Sequence, residues 1–97
     1  MEGLVNSICG KVDKASELPN GTNLNNVITS GFYRINESPV NAPTGSSYSQ
    51  LIVTRSSDTI GQIIIQFSSA KMYVRSGYGI NYDPHWTGWY KVNMTAV

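Results

Sequence analysis

The stretch Gln62-Ile63-Ile64-Ile65-Gln66-Phe67, followed after Ser68-Ser69-Ala70 by Lys71-Met72-Tyr73-Val74-Arg75, decides the fold class. β-Branched and aromatic residues dominate both runs, and neither repeats at helical spacing. Ile63, Ile65 and Phe67 fall on one side of the first run and Gln62, Ile64 and Gln66 on the other. The short Ser-Ser-Ala connection leaves room only for a reversal, so the pair reads as an antiparallel hairpin. Upstream, Tyr48 to Arg55 alternates in the same way, with Leu51 and Val53 toward a core and Gln50 and Thr54 outward. Ser56-Ser57-Asp58 supplies turn chemistry between the two. Gly31-Phe32-Tyr33-Arg34-Ile35 reads as another strand, with Phe32 and Arg34 on one face and Tyr33 and Ile35 on the other. Trp86 to Val92 reads as the closing strand and holds the heaviest apolar residues. The Pro39- and Pro43-containing stretch from Asn36 to Ser47, and the stretch Ser76 to Pro84, read as loops. Asn23 can cap one helical turn reaching toward Ile28. The expected body is a small, mainly β, antiparallel domain.

The first residues follow a different period. Val5, Ile8, Val12 and Ala15 recur in steps of three, four and three, the a/d spacing of a heptad, and Pro19-Asn20-Gly21 stops any helix. The chain therefore divides into a helical lead-in, residues 1–19, and a β body, residues 20–97. So short a helix is marginal in water by itself. It can lie on its own domain, or it can be the end of an oligomeric stalk. β-Branched residues at a and d favour three strands, so the oligomer expected is a homotrimer joined through Val5, Ile8, Val12 and Ala15.

Composition removes several function classes. The chain has 97 residues, a formal net charge of +1 and 13% charged residues, with no basic run to track a phosphate backbone, so nucleic acid is not an expected partner. The apolar runs are too short for a membrane-spanning helix, and no basic–apolar leader follows Met1. A single cysteine, Cys9, excludes an internal disulfide and a cysteine-rich zinc site. Catalysis has little to build on. The one histidine, His85, lies beside Asp83, but two ligands do not make a metal site, and the six acidic residues are scattered singly. Gly77-Tyr78-Gly79 lacks the third glycine and following helix of a phosphate cradle. No enzyme, cofactor or metal is expected. Ser, Thr, Asn and Gly instead make up more than a third of the chain, and aromatic residues crowd its last quarter. Flat rings pack on the apolar faces of sugars while amides and carboxylates bond hydroxyls. Tyr78, Asn81, Tyr82, Asp83 and Trp86 are the candidate ligand-binding residues, with Trp86 and Trp89 also suited to filling a core.

These segments resemble a known family. Leu24-Asn25-Asn26-Val27-Ile28-Thr29-Ser30-Gly31-Phe32-Tyr33 is similar to the opening of the knob domain of R-type pyocin and bacteriophage tail fibres. The Pro39–Pro43 loop, Leu51-Ile52-Val53, Gln62-Ile63-Ile64-Ile65, Tyr73-Val74-Arg75 and Trp86-x-x-Trp89-Tyr90-Lys91-Val92 follow in that family's order, over residues 22 to 93 or so. Gly10-Lys11-Val12-Asp13-Lys14 resembles the helical linkers that precede fibre heads. The resemblance implies a β knob near the distal end of a trimeric fibre, in a virion or an extracellular tail-like particle. It implies host attachment through a bacterial surface glycan, or a knob that only spaces the fibre's segments and tip. No contact residue carries over from the family onto the loop Gly77 to Pro84.

Overall fold

The computed structural model describes residues 15–97. The described chain builds one sheet from β1 (Ser16–Glu17), β2 (Gly31–Arg34), β3 (Gln50–Ser56), β4 (Thr59–Ile65), β5 (Met72–Tyr78), β6 (His85–Trp86) and β7 (Tyr90–Lys91). Spatial order follows sequence order from β1 to β6, with β7 also pairing β5. Every pairing is antiparallel except β1 with β2. Short reversals join β3 to β4 and β4 to β5, which Ser-rich turns provide, whereas the longer segments 18–30 and 35–49 lead from β1 to its parallel partner β2 and from β2 to β3. The β3–β4 reversal is the two-residue turn Ser57-Asp58, with Ser57 in the left-handed region at φ 55°.

The lead-in differs from expectation at its end. Ser16–Glu17 is extended and pairs with Tyr33 and Arg34 instead of continuing a helix, and the Leu18 amide donates to the Arg34 carbonyl at 2.9 Å. A sheet edge with free amides and carbonyls competes successfully with the last turn of a short helix. Ser16 to Leu18 therefore belong to the β body, and the boundary set at residue 19 moves upstream. Ala15 of the heptad stripe is non-helical, while Val5, Ile8 and Val12 lie outside the described residues. Further boundaries shift: β3 starts at Gln50, not Tyr48, and β4 runs from Thr59 to Ile65, not from Gln62 to Phe67. β5 runs on to Tyr78, three residues past Arg75, and the expected closing strand is divided into β6 and β7.

The core sits on one face of the sheet. Leu51 and Val53 of β3, Ile60 and Ile64 of β4, and Ile35 beyond β2 pack against Leu24, Val27 and Ile80. Leu24 begins a 3-10 turn, Leu24–Asn26, whose first free amide is satisfied as the sequence suggests: Asn23 Oδ1 accepts from the Asn25 amide at 2.9 Å. The other covering segments are the connections on either side of this turn and the Pro-rich loop. The sheet face that enters the core is the one with the glutamines. Gln62 is wholly buried and Gln66 nearly so, because each saturates backbone groups of the covering loops. Gln62 Nε2 donates to the carbonyls of Leu24 and Val27 at 2.8 and 3.0 Å, and Gln66 Nε2 donates to that of Thr44 at 3.1 Å. Irregular backbone packed on a sheet leaves carbonyls with no ladder partner, and a side-chain amide meets that need.

The opposite face carries Phe32, Ile52, Ile63, Val74 and Tyr90 in one row across β2, β3, β4, β5 and β7. Phe32 and Tyr90 at its ends are 57% and 66% exposed, and among the described residues nothing covers the row.

Beyond β5 the chain turns at Gly79, whose φ is +70° and whose added Cβ would stand 2.5 Å from the Asp83 carbonyl oxygen. Only glycine accepts both conditions. Gly79→Ala is expected to cost about 2–3 kcal/mol, to be read by urea unfolding; an unchanged midpoint would show that the turn has another solution.

Candidate functional site

Two clusters form where the last strands meet the sheet. The first is at the tip, around the turn that follows β5. Tyr78 and His85 are paired across β5 and β6 on the outer face, and their rings stack with centroids 4.8 Å apart at 14°. Tyr82 projects beside them from the 79–84 turn, which the Tyr82 and Asp83 amides close by donating to the Gly79 carbonyl at 3.0 and 2.8 Å. The Ile80 amide donates to the Asp58 carbonyl at 3.1 Å, while the Ile80 side chain is buried and plugs the end of the core. This anchor holds the 79–84 turn against the β3–β4 turn.

Polar partners fix the tip residues. Tyr82 donates its hydroxyl to Asp58 at 3.0 Å, and that bond holds its phenol above the ordinary tyrosine pKa, since ionisation would place two anions together. Asn81 Oδ1 accepts from Arg55 Nη2, and Arg55 also donates to the Ile28 carbonyl at 3.2 Å, tying the loop to the body. Asp83 and His85 approach to 3.1 Å. No group of three or more His, Cys, Asp or Glu residues gathers among the described residues, so His85 and Asp83 stand as a pair. Tyr78 and Tyr82 keep 59% and 76% of their surface exposed, with one face of the Tyr78 ring stacked on His85.

Trp86, the remaining candidate, is not with this group. It pairs with Gly77 on the inner face, one residue along from His85, and alternation turns it away from Tyr78. There it enters a second cluster. Between β6 and β7, Thr87-Gly88-Trp89 faces only Arg75 and Ser76 of β5, so the last strand holds one extra residue. Thr87 stays in register, exchanging bonds with Ser76 through its amide at 2.8 Å and its Oγ1 at 3.0 Å. A bulge restores the ladder while reversing the alternation beyond it. Residues 86 and 89 would lie on opposite faces of a regular strand; here both face inward.

The guanidinium of Arg75 is held between them. Its carbon lies 4.0 Å from the Trp86 ring centroid and 4.7 Å from that of Trp89, inside cation–π range. Arg75 Nε donates to Gln62 Oε1 at 2.8 Å, and Trp89 Nε1 donates to the Asn41 carbonyl at 2.9 Å. Burial pushes the Arg75 pKa down to about 10. Both tryptophans are half-buried walls around a charge rather than closed core, and they border a cavity of about 330 Å³ that also touches Asn25 and Asn41.

Of the residues singled out in the sequence, Tyr78, Asn81, Tyr82 and Asp83 lie together at the tip, and Trp86 lies in the second cluster. Arg75, Asn25 and Asn41 carry no sequence signal of their own. The one available clue is Gly88 between two tryptophans of odd separation, where a glycine inside a strand marks a bulge. The chain matches no protein-family model, no curated protein and no solved structure.

Proposed function

We propose that this chain is a non-catalytic knob module of a phage or pyocin-like tail fibre, and that it binds a bacterial cell-surface carbohydrate. The observation that carries the reading is the exposed tip, where the mostly exposed Tyr82 and the Tyr78–His85 stack lie with Asn81 and Asp83. Rings of this kind pack on the C–H face of a pyranose while the neighbouring amide and carboxylate bond its hydroxyls. Low charge and an uncharged-polar surface suit a component that works outside a cell, in a virion's tail fibre or a free tail-like particle. As a homotrimer joined through the Val5, Ile8 and Val12 stripe, which lies outside the described residues, and linked to other fibre segments, the module multiplies weak sites. Three tethered copies on a repetitive surface gain roughly 10²–10⁴ in avidity.

Binding of the labelled chain to whole bacteria and to a glycan panel tests this, with light scattering on the same preparation for the oligomer. Tyr78→Ala with Tyr82→Ala is expected to lower attachment about ten-fold or more while leaving the β-sheet spectrum unchanged, since both rings are mostly exposed. A second reading, a purely structural spacer or trimerisation unit, draws on the uncovered row of Phe32, Ile52, Ile63, Val74 and Tyr90, since an exposed apolar band of this kind suits contact with another protein surface. A trimer that attaches to no cell and no glycan would decide for the spacer; a monomer that attaches would remove the stalk and keep the binding.

A further inference from the structure

β4 carries a glycine that its own backbone does not require. Gly61 lies inside the strand Thr59–Ile65 and outside the left-handed region. An added Cβ would meet Thr54 Oγ1 at 3.0 Å, the end of an exposed side chain, and nothing else among the described residues within 4 Å. A glycine inside a strand weakens it, and marks a place where a ligand or another backbone comes close. The missing side chain opens a hollow of about 330 Å³ on the outer face of the sheet. Thr54 and Ser76, both exposed, flank Gly61 in register on β3 and β5, and Thr54 directs its hydroxyl toward the glycine. One step along the strands, Ile63, Val74 and the mostly exposed Tyr90 form an apolar wall. Gln62 and Arg75 also border the hollow, but their side chains bond each other on the inner face, so no charged side chain is turned toward it. The hollow continues the tip. Val74, Ser76 and Tyr78 share one face of β5 at steps of about 7 Å, which puts Ser76 midway between the Val74–Tyr90 pair and the Tyr78–His85 stack.

We infer that a linear, uncharged oligosaccharide lies along this face, with one sugar unit in the hollow over Gly61 against Tyr90 and its neighbour at the Tyr78–Tyr82 tip. A hydroxyl rim beside an aliphatic and aromatic wall matches the two kinds of surface on a pyranose. An acidic or amino sugar would bring a charge for which the hollow has no partner, so a neutral unit fits it. A volume of about 330 Å³ lies at the lower end for small-ligand pockets and suits a single unit. Another backbone lying on the sheet face would find no ladder groups there, because those point within the sheet toward neighbouring strands. The identity of the ligand as a carbohydrate rests on the reading above; the hollow, its glycine and its lack of charge do not.

The probe is surface polysaccharide purified from bacteria to which the full chain attaches, cut to short fragments. In an amide NMR titration of the full chain, the signals of Gly61, Ser76 and Thr87 are expected to shift together with those of residues 78–83. The Kd is expected to change less than about two-fold with added salt, as for an uncharged ligand. Single sugars from the same polymer should bind at least ten-fold more weakly than fragments that span both places. Gly61→Val fills the hollow with a residue that suits a strand, and is expected to weaken fragment binding at least ten-fold while leaving the sheet spectrum unchanged. Tyr90→Ala, at an exposed position, should weaken it several-fold even if the valine displaces Thr54 and distorts β4. Shifts confined to residues 78–83, or a folded Gly61→Val chain of unchanged affinity, would overturn the hollow and leave the tip reading standing. Binding that added salt abolishes would overturn the neutral ligand. A Gly61→Val chain that loses its oligomer by light scattering, yet keeps the parent's affinity for fragments, would give the hollow to a second copy and overturn the inference. A parent chain that attaches to no bacterium and no polysaccharide removes the carbohydrate reading, and this inference with it.

Discussion

Replacing Gln62 with leucine is expected to lower the melting temperature by on the order of 20 °C, corresponding to about 3–5 kcal/mol for a domain of this size. Leucine fits the volume and the apolar surroundings, so hydrophobicity alone would forecast a gain. Gln62 is wholly buried and satisfies three groups at once: the carbonyls of Leu24 and Val27 through Nε2, and Arg75 Nε through Oε1. Leucine meets none of them. The Val27 carbonyl left alone costs about 1–3 kcal/mol, the Leu24 carbonyl keeps only its bond from the Val27 amide at 3.2 Å, and the charged donor costs more. The total approaches the whole stability of a small domain, which is about 5–15 kcal/mol. A differential scanning melt reads the outcome. A Gln62→Leu variant as stable as the parent would mean that the 3-10 turn and Arg75 find other partners.

Trp89→Ala is expected to cost about 2–3 kcal/mol and to increase the solvent accessibility of Trp86. The figure sits below that for a fully enclosed tryptophan because Trp89 is only half-buried. What is lost is one wall of the Arg75 sandwich and the Nε1 bond to the Asn41 carbonyl that pins the Pro-rich loop. Trp89→Phe keeps a ring for the guanidinium and loses the bond, so about half the cost should return. Thermal melts give the energies, and acrylamide quenching of the remaining tryptophan reports the opened cavity. A Trp89→Ala melt unchanged within error would show that the indole contributes contact surface only.

Much of the sheet is legible in the residues. The hairpin around Ser68-Ser69-Ala70, the alternation of Leu51 and Val53 against Gln50 and Thr54, and the Asn23 cap all follow from period and turn chemistry, because each depends on neighbours within a few positions. The lead-in is where local pattern failed to predict the described structure. Ser16 and Glu17 fall within the lead-in expected to be helical yet form a strand, since the open edge of β2 offers them hydrogen bonds that local propensity cannot register. The candidate site divides along the same line. Tyr78, Asn81, Tyr82 and Asp83 lie within one turn and could hardly avoid one another, whereas Trp86 takes its direction from which face of β5 it pairs with.

The sequence by itself determined that the body is mainly β with one polar-aromatic stretch near its end, because strand period, turn residues and composition are properties of short windows. Tertiary structure decided which face is the core and what the site contains. Hydrophobicity ranks Ile63 and Ile65 above Gln62, yet Gln62 is inside, because the covering loops bring carbonyls that only a side-chain amide can satisfy. Tertiary pairing likewise placed one extra residue opposite Arg75, and with it both tryptophans on the same side. A bulge is a mismatch between two strands, so it exists only once they have paired.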